Sequence, residues 1–331
     1  MSNNNIYVDL LLTNSIQTEA NDRVPVQFYL NQSQPILRDT TNYKLSVIRF
    51  SLNTETLPIF IPQMQDDTKT VYSVTMEYNG NIYQQYMNFI PQNENPIDSD
   101  EKYYISSYQY VIYLFNEMLK ECLAGLNNIS PTTPTNLAPK MFYEITTQLC
   151  GMNLNTDYYG YNESNKINIY FNTQLYALLS TLPASTINST NGKAFQINNL
   201  ISDDSSILIQ EYKTIELWNP VSSIVFTSNL LPIYESVTAP IQIYVDGKLS
   251  NNNTSYHFLN IMTDFMGNEL IFTPYVEYSP SIYRFLNLKP GASIRNIDLQ
   301  VFWMNKNTGT LKPLYLVPGG SCSTKLYLTS D

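Results

Sequence analysis

The residues able to do chemistry in this chain are few and scattered. His257 is the one histidine, held between apolar neighbours in SYHFLN, where it reads as a hydrogen-bonded structural residue. A cluster of imidazoles around a metal, as in cupins, is thereby excluded. Asp66-Asp67 and Asp203-Asp204 are acidic pairs of the type that ligates a hard cation or serves a glycosidase. Each falls in a polar stretch, and solvated turns account for both. Cys122, Cys150 and Cys322 are far apart and form no CxxC pair. That spacing fits neither zinc nor a disulfide framework and suits a reducing compartment. Cys122 and Cys322 fall at apolar positions of a helix and a strand, as core residues would. Trp218 and Trp303 are candidate ligand platforms, but Trp303 alternates with Ile297, Leu299 and Val301, which reads as core. The motifs GxSxG, GxxxxGKS/T and GxGxxG are absent. No catalytic, cofactor-binding or metal site is expected, and the chain reads as a non-enzyme.

The elements that carry these residues are mainly strands. Near the C-terminus, Ile297 to Trp303 has a two-residue apolar period with Asp298 and Gln300 facing the other way. NKNTG at 305–309 reads as a hairpin connection, and Cys322 to Leu328 alternates again behind the stop at Pro318. At the N-terminal end, Ile6 to Leu12, Val24 to Leu30 and Tyr43 to Leu52 read as strands. In the last of these, Leu45, Val47 and Arg49 are expected on one face, with Ser46, Ile48 and Phe50 on the other. TLPIFIP at 56–62 has two prolines and fits an edge or an extended arm. Asn79-Gly80 between two β-rich runs marks a type I′ hairpin.

The middle has another texture. Tyr104 to Leu126 repeats apolar residues at steps of three and four, which predicts one long amphipathic helix, with Ser106 and Gln109 as a capping box. Ile167 to Phe171 reads as a strand leading into a short helix capped by Asn172. Strand texture returns at Ser206 to Lys213 and continues through Ser222 to Ser228, Ile241 to Val245 and Leu270 to Tyr278. Residues 1–64 with 217–331 therefore read as one β-sandwich, and 65–216 as an inserted mixed α/β domain.

Composition narrows the partners. A net charge of -10 with no Lys/Arg cluster argues against nucleic acid, which needs concentrated positive charge. No apolar run reaches the ~18 residues of a membrane span, and MSNNNIYVDL lacks the basic region of a signal peptide. The polar face of the long helix carries Glu117, Lys120 and Glu121, not the basic row of a membrane-surface helix. The chain has 27 tyrosines and only 14% charged residues, a balance that resembles protein interfaces. Codon bias in an AT-rich genome would raise Tyr and Asn as well.

SSIVFTSNLLPIYES at 222–236, LNIMTDF at 259–265 and the run from Ile297 to Leu328 resemble the C-terminal half of the penton, or minor capsid, proteins of virophages and Polinton-like viruses. NYKLSVIRFSLNTETLPIFIP at 42–62 is similar to the start of those proteins. The resemblance implies a mainly all-β chain with a single jelly roll upright in the capsid and an insertion domain facing outward. It implies a homopentamer closing each icosahedral vertex between trimers of a double-jelly-roll major capsid protein, in a virion assembled inside the infected host cell. It leaves a host receptor or glycan as a partner of the insertion domain. A reading from another class is a β-sandwich carbohydrate- or receptor-binding module, with Tyr- and Asn-rich loops stacking on sugars. A glycoside hydrolase comes third, and would need two carboxylates about 5 to 10 Å apart in a cleft.

Overall fold

The computed structural model describes residues 5–15, 22–92, 96, 99–187, 192–199, 205–234, 236–238, 243–245, 248–250, 257–259, 261–265 and 274–330. Two compact units emerge, Met1–Leu57 with Pro220–Asp331, and Pro58–Asn219. No helix among the described residues is long and apolar enough to cross a membrane.

Among the described residues, the first unit has eight principal strands, Ile6–Thr13, Gln27–Asn31, Tyr43–Asn53, Val221–Thr227, Ile261–Phe265, Tyr275–Tyr278, Asn296–Asn305 and Ser321–Ser330. In chain order, the first, eighth, third and sixth lie side by side in one sheet. The second, seventh, fourth and fifth lie side by side in the other. The pairings are antiparallel throughout, and this order is that of a jelly roll.

Period-two alternation sets which side chains point inward. Cys322, Thr324, Leu326 and Leu328 are buried, while Ser323, Lys325 and Tyr327 between them are not. Phe50 of one sheet and Phe226 of the other bring their rings to 5.2 Å, filling the space between the sheets. Asp298 and the Tyr43–Asn53 strand depart from the expected alternation. Against the last strand, Val47 pairs with Leu326 but Arg49 pairs with Lys325, a shift of register. The extra residue reverses the alternation, so Leu45 and Val47 point inward before it and Phe50 and Leu52 after it. Arg49, expected beside Leu45 and Val47, is exposed.

The second unit has a five-stranded antiparallel sheet in the order Ala184–Thr186, Phe195–Ile197, Asn168–Phe171, Lys69–Tyr78, Asn81–Asn88. A three-stranded sheet runs Ser205–Ile209, Leu149–Asn155, Lys140–Glu144. The hairpin turn has positive φ at both Asn79 (49°) and Gly80 (77°), as a type I′ turn requires. The helix Tyr108–Ile129 buries Val111, Phe115, Met118, Cys122 and Leu126 along one stripe and packs on both strands of that hairpin. Gly125 on this stripe lies against the Tyr83 ring, where a Cβ would come within 2.2 Å of Cε1.

The helix starts at Ser107 with no side-chain cap, so the expected capping box does not form. The Ser106 amide instead donates to Gln92 Oε1 at 3.3 Å. Asn172 does cap its helix, accepting from the Leu175 amide at 3.0 Å. Of the TLPIFIP segment, Phe60 forms an isolated bridge with Ile105, too short to make a strand.

Candidate assembly surface

Asp66 and Asp67, singled out as an acidic pair, are occupied with structure. Asp66 Oδ1 accepts from the amides of Thr68 at 2.9 Å and Lys69 at 2.8 Å, which closes a turn. The Thr68 amide holds that carboxyl below the usual carboxylate range. Asp67 accepts from the Tyr103 hydroxyl at 3.2 Å. Asp203-Asp204 lies outside the described residues, and His257 pairs with Thr238 across a two-stranded ladder. Among the described residues, no three His, Cys, Asp or Glu side chains gather as metal ligands would.

The three cysteines are free and buried. Burial pushes the thiols up to about 12 for Cys122 and Cys150 and about 11 for Cys322. They stay protonated at neutral pH and are poor nucleophiles. Both tryptophans are buried. The indole of Trp218 donates to the Leu178 carbonyl at 2.9 Å and packs on Phe60 and Phe115, with ring centroids at 5.8 and 5.6 Å. Neither tryptophan is presented to a ligand.

Two polar clusters carry no local sequence signal. Asp298, expected on the solvent face of its strand, is buried. It accepts from Ser228 Oγ at 2.6 Å and from the amides of Asn229 at 3.1 Å and Leu230 at 2.8 Å, fixing the turn that follows Val221–Thr227. In the other unit, burial would raise the Glu77 carboxyl, but Lys193 Nζ at 2.6 Å and the Tyr170 hydroxyl at 2.8 Å outweigh it and hold it below its usual range. These groups come from segments far apart in sequence, so no spacing announces them.

Among the described residues, the jelly roll turns a cluster of aromatic rings outward. The outer face of the sheet holding Ile6–Thr13 and Ser321–Ser330 presents Tyr7, Asp9 and Leu11 from the first strand and Lys325 and Tyr327 from its neighbour. Tyr7 stacks on Tyr327 at 4.9 Å, and Tyr283 and Phe285 meet the same ring edge-on at 6.2 and 5.9 Å. Leu11 is 76% exposed and Tyr7 53%. Asp9 is bracketed by Lys325 at 3.2 Å and Arg49 at 3.9 Å. An exposed apolar cluster rimmed by charges is what protein contacts are made from.

A jelly roll whose buried polar groups brace its own turns and whose outer sheet face carries an aromatic cluster has the makings of a structural building block. The chain belongs to the family described as Sputnik minor capsid protein V18/19, whose model matches residues 6–329. It is 30% identical over 147 residues to uncharacterized protein V18 of Sputnik virophage, a match covering 38% of this chain and 84% of that relative. It is 25% identical over 203 residues to structural protein V19 of the same virus, covering 56% and 91%. A chain in the 3.5 Å cryo-EM structure of the Sputnik virophage superposes with a TM-score of 0.80 at 25% identity over 98% of both chains. The crystal structure of selenomethionine-labelled mavirus penton protein shares the fold, with a TM-score of 0.69 at 20% identity over 99% of this chain and 100% of that one. The protein is a structural component of a virophage capsid, and its place is in the virion with other capsid proteins.

Proposed function

We propose that five copies of this chain close into a ring at the icosahedral vertex and pack against trimers of a double-jelly-roll major capsid protein. The role is one of assembly, without catalysis, and assembly takes place inside the infected host cell. The Pro58–Asn219 unit is read as an insertion domain facing outward, where it is available to a host receptor or glycan.

One observation carries this reading. The likeness to a penton protein runs through nearly the whole of both chains, so it takes in the insertion as well as the jelly roll. A cyclic ring uses a heterologous contact that closes on rotation, and a jelly roll with two distinct sheets can present the two different patches it needs. Light scattering after size exclusion, over a range of concentration and salt, tests it. A species near five times 38.0 kDa is expected. A strict monomer under every condition, in mixtures with the major capsid protein as well, overturns it.

A further inference from the structure

Charge is divided unevenly between the two units. Met1–Leu57 with Pro220–Asp331 contains eleven Lys and Arg against twelve Asp and Glu, a net of -1. Pro58–Asn219 contains seven Lys and no Arg against sixteen Asp and Glu, a net of -9. All five arginines therefore lie in the jelly-roll unit. A surface that binds its own copy must not repel it, and like charge facing like charge is costly at an interface. The -9 unit fails that condition and the nearly neutral one meets it.

Within the jelly-roll unit, the outer face led by Ile6–Thr13 combines three features suited to self-association. It holds the four-ring cluster of Tyr7, Tyr327, Tyr283 and Phe285, and aromatics of this kind anchor interfaces. It carries both signs of charge close together, Asp9 between Lys325 and Arg49. Its leading strand pairs on one side only among the described residues, and has neither the Lys nor the Pro that usually guards an exposed edge.

We infer that a second copy of this chain docks on that face, centred on Tyr7, Leu11 and Phe285, while the acidic Pro58–Asn219 units of neighbouring copies repel one another. The inference rests on the ring reading and specifies its contact. Screening of the repulsion makes association tighter as salt rises, since charges beyond a Debye length of about 10 Å at 0.1 M salt cease to act.

The test measures the mass and dissociation constant of the full chain by sedimentation equilibrium, at low and high salt. Leu11→Lys is compared with Ile145→Lys, a residue of the acidic unit that is also 76% exposed. Both substitutions make the chain less negative, so overall electrostatics alone would tighten association in both. Leu11→Lys is expected to weaken association at least tenfold with an unchanged melting temperature, and Ile145→Lys to leave it equal or tighter. Phe285→Ala examines the same face from another segment and is expected to weaken association in the same direction. Loss at Ile145→Lys equal to that at Leu11→Lys overturns the inference. So does a Leu11→Lys ring that forms normally, including one that then fails to enter shells with the major capsid protein. In those cases the ring reading stands. A wild-type chain that never associates, in mixtures with the major capsid protein as well, removes the ring reading and this contact with it.

Discussion

The two units solve the same burial problem with different materials. The jelly roll fills its core from two facing sheets with Phe50, Phe226, Leu299 and Leu326, and its one thiol with a strong upward shift is Cys322. The Pro58–Asn219 unit wraps its sheets around one helix and encloses ionisable groups. Burial raises the Tyr72 hydroxyl to about 12, the thiols of Cys122 and Cys150 as far, and the hydroxyls of Tyr108, Tyr159 and Tyr170 further still. The jelly-roll unit is nearly neutral in net charge and turns a cluster of aromatic rings outward. The Pro58–Asn219 unit buries these thiols and hydroxyls and carries nearly all of the chain's net negative charge.

Core truncation gives the largest way to break this comparison. Phe226→Ala in the jelly roll and Phe115→Ala in the helical unit should each cost about 3–5 kcal/mol, since each empties a fully buried ring site. Calorimetry should show each variant lowering the transition of its own unit. Equal shifts of a single transition in both would mean that the units unfold as one.

Asp298→Ala comes next. It leaves the Asn229 and Leu230 amides without their acceptor and should cost about 1–3 kcal/mol in chemical denaturation. Asp298→Asn, which keeps one acceptor oxygen, should lose less.

Alkaline pH sharpens the contrast between the units. A thiol raised from its usual 9.0 to about 12 keeps its proton in the folded state after the unfolded chain has released it. Stability contributed by that difference is complete below pH 9 and falls as pH rises above it, by about 1 kcal/mol per thiol per pH unit until the folded value is reached. Two such thiols and the raised tyrosines lie in Pro58–Asn219, so the transition of this unit should fall further than that of the jelly roll as pH is taken from 8 to 10.5. Parallel loss in both units would contradict the division. Gly80→Ala is the smallest change. At a φ of 77° it should cost about 1 kcal/mol, and it should be felt only in the transition of the helical unit.

Much of this was legible in local pattern. The helix stripe from Val111 to Leu126, the Asn79-Gly80 turn and the Asn172 cap are encoded within a few residues of where they act. So is the alternation of Cys322 to Leu328, because a strand side chain takes its face from its parity. Arg49 and Asp298 were misplaced by the same rule. A bulge inserts one residue without a local mark, and a buried carboxylate is satisfied by partners about seventy positions away in the chain. The aromatic face was invisible for a related reason, since Tyr7, Tyr283, Phe285 and Tyr327 come from three segments that only sheet pairing brings together.

By itself, the sequence determined that the chain is strand-rich, acidic and interrupted by a helical middle. Only the tertiary structure decided which strand lies beside which. Ile6 faces Leu328 across a ladder that joins the two ends of the chain, and Phe50 meets Phe226 across the core. Parity and period are properties of neighbouring residues, so they can be read locally. Pairing is chosen by the burial of the whole sandwich at once, so the jelly roll and the face it turns outward exist only when all eight strands are in place.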